Sequence, residues 1–157
     1  MRVAPALLFA LVSVSNLASQ ATGPAAAKIN ADLTALFGKV VAALRTRDTM
    51  ALRSIYAENY QFTVGGGDSV TSLTRAERLQ SVAASPDSIT DLNLESCQFK
   101  PVGAATAVGG CWIRQRSMEG RQDDWVGIYS TVVFVKNPAG RWRLAVTHAS
   151  VNRPKRR

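Results

Sequence analysis

The chain has 157 residues, 46% of them apolar, with a formal charge of +8, one histidine and two cysteines. That length suits a single domain with one modest core. One imidazole and two thiols leave little for a transition-metal site. No Gly-x-Ser-x-Gly elbow, dinucleotide fingerprint or Walker loop occurs, so neither a metal nor another cofactor is expected.

The opening stretch, MRVAPALLFALVSVSNLASQA, sets Arg2 ahead of an apolar run from Val3 to Val14, followed by small and polar residues. A basic end, a short apolar centre and a small-residue cleavage site make a secretory signal. Residues 1–21 are assigned to it, with cleavage after Ala21 and a second candidate cut within Ala25-Ala26-Ala27. The run is shorter than the roughly 20 apolar residues of a membrane-spanning helix. A secreted or periplasmic protein with no transmembrane segment is therefore expected. Residues 22–27 read as a linker, 28–152 as the folded domain, and 153–157 as a disordered basic tail. Arg2, Arg153, Lys155, Arg156 and Arg157 carry five of the positive charges. What remains is scattered and forms no basic helix face, so no specific nucleic-acid partner is expected.

Ile29, Leu33, Leu36, Phe37, Val40 and Leu44 recur in steps of three and four, predicting a helix over 28–46. Asp48 is a good N-cap for a short second helix that buries Leu52, Ile55 and Tyr56. YQFTV is a short strand, and the glycine-rich GGGDS (65–69) a turn. Thr74 and Glu77 form a capping box for a third helix ending near Ala84. Strands are predicted over 92–99, 106–116, 124–136 and 141–151, the last two joined by the tight turn NPAG. Acidic residues Glu119, Asp123 and Asp124 lie in a solvated connection without the oxygen spacing of a calcium loop. Helices followed by hairpins give an α+β layout with an antiparallel sheet.

A first hairpin turning around Ala104 sets Cys97 opposite Cys111. Opposed residues share a face, with β-carbons within bonding reach of two sulfurs. A cross-strand disulfide is expected in an exported chain.

FGKVVAALRTRDTMALRSIYAENYQFTV resembles the helix pair and Tyr-Ala-acid-x motif of the nuclear transport factor 2-like superfamily, also called the cystatin-like cone. STVVFVKNPAGRWRLAVTHAS resembles its closing hairpin, with Gly-x-Trp and a late His. The likeness spans about residues 30 to 151 and is nearest to small bacterial SnoaL-like domains of unknown function. It implies a curved sheet wrapped around three N-terminal helices, with a conical pocket at one open end. Members include ketosteroid isomerases, dehydratases, polyketide cyclases, binding proteins and dimerisation modules, so the fold does not settle the activity. The isomerase pattern puts Val64 where a carboxylate base is needed, which speaks against that chemistry. Glu58 and Asn59 match the family's acidic pair, which caps the second helix. Asp68 sits in the glycine turn.

Strict alternation along the last strand puts Trp142, Leu144, Val146 and His148 on one face. The same rule groups Val108, Trp112 and Arg114, and groups Thr131, Val133 and Val135. If these faces point inward, Tyr56, Tyr60 or Phe62, Trp112, Arg114, Thr131, Trp142 and His148 line an amphipathic cavity. His148 is the candidate general acid or base, although a lone histidine on an apolar face also fits a hydrogen-bonded core residue. Arg114 suits a carboxylate-bearing ligand if buried; a register slip of one residue leaves it exposed. Three functions follow as expectations: a small-molecule-binding domain, a cofactor-free lyase, isomerase or cyclase using His148, or a module that homodimerises through an outer sheet face carrying Val132 and Phe134.

Overall fold

Two helices lead the chain because its first apolar residues repeat at the helical period. In the computed structural model, which describes residues 23–66, 69–85, 89–119 and 122–152, α1 runs Pro24–Thr46 and α2 Thr49–Ile55. Proline in the first turn and three alanines favour helix, so α1 begins inside the stretch expected as linker. The signal assigned to 1–21, the tail at 153–157 and Asp68 lie outside the described residues. Asp48 caps α2 as expected, accepting from the Ala51 amide at 2.9 Å. Tyr56 then turns extended, so the second helix is shorter than its sequence suggests.

The sheet begins at once. β1 covers Tyr56–Gly66, β2 Ser69–Thr74, β3 Ile89–Pro101, β4 Thr106–Glu119, β5 Gln122–Lys136 and β6 Trp142–Asn152, with α3 (Arg75–Ala83) between β2 and β3. Strand β2 was not expected. Its side chains are almost all exposed, so it has no apolar alternation to betray it and is held by its pairing with β1. The Thr74 capping box is present in full at the start of α3.

The strand order is β2-β1-β6-β5-β4-β3. All neighbours are antiparallel except β1 and β6, which run parallel. The sheet is curved and unclosed, and α1 lies along its inner face. There Leu33, Phe37, Val40 and Val41 meet Leu92, Phe99, Ile113, Val132, Phe134 and Leu144 in one core. The Asn30 side chain ties helix to sheet by accepting from the Phe99 amide at 2.7 Å.

Two bulges decide which residues face that core. In β3, Leu94 pairs with Ile113 and Ser96 with Trp112, leaving Glu95 as an extra residue. In β6, Leu144 pairs with Phe134 and Val146 with Val133, leaving Ala145 extra. One inserted residue bends the strand and reverses its alternation. Upstream of the β3 bulge, Leu92 and Leu94 face inward opposite Gln115 and Ile113; downstream, Cys97 and Phe99 do. Val132 and Phe134, expected on the outer face, instead face the core and are fully buried. The Cys97–Cys111 pairing lies beyond the bulge, and the expected disulfide is formed.

Candidate functional site

The inner face, α1 and α3 enclose a cavity of about 140 Å³. Helix α1 contributes Phe37, Val40 and Leu44, three residues at helical spacing. Helix α3 contributes Arg78 and Val82, one turn apart. Strand β1 supplies Tyr56, Tyr60 and Phe62. Leu92, Ile113, Gln115, Ile128, Ser130, Thr147 and Ala149 come from inward positions of β3 to β6, while Arg45, Arg47 and Ser85 complete the wall.

Several of the polar groups come from β1, β6 and α3. Tyr56 and Tyr60 stack with ring centroids 4.0 Å apart. Burial pushes both phenols above their ordinary pKa, and the neighbouring Tyr56 pushes Tyr60 further, so both stay protonated at neutral pH. Arg78 places its guanidinium 4.1 Å from the centroid of the Phe62 ring, a favourable cation–π geometry. Its charge partly offsets the rise at Tyr56. Two polar atoms are buried there without a hydrogen-bond partner among the described residues, Arg78 Nε and Thr147 Oγ1. Thr147 is close enough to lower the Tyr60 pKa, but the pair is not aligned as a hydrogen bond. No described lining residue is an aspartate, glutamate, histidine, lysine or free cysteine.

Of the residues proposed from sequence, Tyr56, Tyr60 and Phe62 line this cavity and the others do not. His148, Thr131 and Arg114 are exposed on the outer face. The Ala145 bulge reverses β6, so Leu144 points in and His148 out, against the expectation of an inward imidazole. Trp112 is 39% exposed beside Tyr129 on the outer face. Arg114 stacks on the outer Trp125 ring at 4.1 Å rather than awaiting a ligand inside. Trp142 packs half-buried against the core, with the Lys136 ammonium 5.0 Å from its ring. Glu58 caps no helix. It lies on β1 and pairs with Arg75 at 2.6 Å. Val64 also lies on β1, opposite Thr71 and Ala149.

Sequence reasoning missed Arg78, Gln115, Ser130 and Thr147. Arg78 was legible in principle, since it lies one turn from the buried Val82 on a helix whose start was assigned. Ser130 and Thr147 required knowledge of the bulges.

No family model matches the chain, and no curated protein sequence matches it significantly. Solved structures do. A ketosteroid isomerase-like protein from Erwinia carotovora atroseptica superposes with a TM-score of 0.67 at 14% identity, covering 79% of this chain and 96% of its own. An NTF2-like protein of unknown function in nutrient uptake from Rhodospirillum rubrum gives 0.65 at 18% identity, covering 77% and 98%. A candidate calcium/calmodulin-dependent kinase II association domain from Exiguobacterium sibiricum gives 0.63 at 18% identity, covering 86% and 100%. At such identities the likeness establishes the fold alone: an NTF2-like α+β cone.

Proposed function

We propose that this NTF2-like domain binds a small organic molecule, largely apolar in body, in the cavity between α1, α3 and the inner sheet face. The observation that carries the reading is the composition of the wall: apolar side chains from two helices and five strands, with a few polar groups set among them. Cavities of that kind hold small ligands and orient them through a few polar contacts. Binding is favoured over proton-transfer catalysis because no carboxylate, imidazole or thiol is found among the described lining residues. The tyrosines are held protonated, and the only histidine lies on the opposite face of the sheet. Protein-observed NMR and thermal shift with a set of small amphipathic compounds test it. Binding should raise the melting temperature and perturb Phe62 and Ile128. Failure of every compound to bind, or perturbation of the outer face instead, overturns it.

A second reading concerns the outer face. Trp112 and Tyr129 (51% exposed) pair across β4 and β5 on the outer face, and Val146 (37% exposed) lies on the same face opposite Val133, four residues along. Exposed apolar groups on one face favour a partner, and the Exiguobacterium neighbour is described as an association domain. We propose a second copy of this chain as that partner. Sedimentation should give twice the chain mass for the wild type and the single mass for Tyr129→Asp; a monomer at all concentrations removes the idea.

The disulfide fits an oxidising compartment, and among the described residues no helix is long and apolar enough to cross a membrane. The disulfide supports export by the signal read at residues 1–21. Intact mass of the protein from its own source should begin at Thr22.

A further inference from the structure

Helix α3 brings two arginines toward β1, and they meet different fates. Arg75 has its carboxylate, Glu58, at 2.6 Å, and also donates to the Arg53 carbonyl at 2.8 Å. Arg78, one turn on, faces the cavity, and its described neighbours are neutral: the Phe62 ring and the Tyr56 phenol. Its Nε–H is buried without an acceptor. A guanidinium stays charged at any pH the fold survives, and leaving such a charge uncompensated in an apolar wall is costly. Arg45 lines the same cavity, and none of the described lining residues is acidic. Among the described residues, Arg78 thus has no anionic partner in the wall.

Resting on the binding reading above, we infer that the ligand enters this cavity as a small carboxylate anion, with its two oxygens on the Arg78 guanidinium and its apolar body against Phe37, Leu92 and Ile128. A carboxylate matches the planar donor fork of arginine with two parallel hydrogen bonds. The protonated Tyr56 and Tyr60 hydroxyls and the unpartnered Thr147 hydroxyl stand on the same side as further donors. The size of the space limits the body. A cavity of about 150 Å³ lined by apolar side chains takes up benzene, so about 140 Å³ here suits one aromatic ring or a short branched chain.

The probes are benzoate and its neutral isostere benzamide, titrated calorimetrically into the purified protein. Wild type should bind benzoate at least tenfold more tightly than benzamide. Arg78→Met, with its fold checked by circular dichroism, should lose that tenfold preference while holding benzamide within twofold of wild type. Equal binding of the two probes by wild type, or an unchanged benzoate affinity in a folded Arg78→Met, overturns the carboxylate assignment and leaves the cavity as a binding site for neutral molecules. The wild-type comparison stands even if the variant does not fold. If neither probe binds wild type, both the anion assignment and the cavity reading fail.

Discussion

Leu144 and Val146, two residues apart in one strand, face opposite sides of the sheet: the first is fully buried and the second 37% exposed. Ala145 between them is the extra residue of a bulge. Everything after it in β6 is turned over relative to simple alternation, so Thr147 enters the cavity wall and His148 meets solvent.

That placement sets an expected outcome for His148→Gln. An exposed side chain away from caps and cores contributes little, so stability should change by no more than about 0.5 kcal/mol. Ligand binding in the cavity should also be untouched. Urea denaturation and a benzoate titration of the variant check both; loss of either would return His148 to the interior.

Two adjacent glycines in β4 should respond very differently to alanine. A β-carbon at Gly109 would overlap the buried Phe99 ring and approach the Gln98 carbonyl oxygen to 2.5 Å. Neither can yield cheaply, so Gly109→Ala should cost about 3 kcal/mol, at the upper end for overpacking. At Gly110 the obstacle is the exposed Tyr129 phenol, which can swing outward, so Gly110→Ala should cost less than about 1 kcal/mol. Urea midpoints of the two variants rank them.

The Cys97–Cys111 bridge spans 14 residues. Closing a loop of that size in the unfolded chain is worth roughly 2–3 kcal/mol. The double replacement Cys97→Ala with Cys111→Ala should lose about that much in chemical denaturation. A loss near zero would mean that the paired strands alone hold this hairpin.

Tyr56 and Tyr60 have raised pKa values in the fold because burial disfavours their charged form. The unfolded phenols ionise near pH 10.0, while the folded ones stay protonated. Their contribution to stability is complete below that pH and falls away as pH rises through the folded values. Ultraviolet titration should show that these two phenols ionise only as the protein unfolds in alkali.

At the start of α3 the sign is the reverse. The Thr74 amide, 2.8 Å from Glu77 Oε2, and then the Thr74 hydroxyl hold the Glu77 carboxyl below its usual pKa. This contribution is present above the ordinary glutamate pKa and disappears as pH falls through the lowered one. Carbon-13 titration should place Glu77 below an ordinary glutamate in wild type. In Thr74→Ala the loss of the hydroxyl should bring it back upward.

The linear sequence determined what depends on neighbours a few residues apart. The apolar steps from Leu33 to Leu44, the Asp48 cap, the Thr74–Glu77 box and the NPAG turn are local patterns, and each appears where its residues put it. The Cys97–Cys111 pair was legible too, because a hairpin centred on Ala104 needs no knowledge of the rest of the sheet. Tyr56, Tyr60 and Phe62, on a strand that follows directly from a helix with a legible inward face, line the cavity.

Tertiary structure alone decided the rest of the site. Alternation carries a side chain's direction along a strand only while every residue is paired in step. Glu95 and Ala145 fall out of step because the sheet must bend around α1, and a bulge relieves that bend at the expense of one unpaired residue. No residue type marks those positions, since the need for them comes from a helix more than 40 residues away in the chain. The curvature that makes a cavity is thus what hid its lining, sending His148, Trp112 and Arg114 outward and bringing Ser130 and Thr147 in.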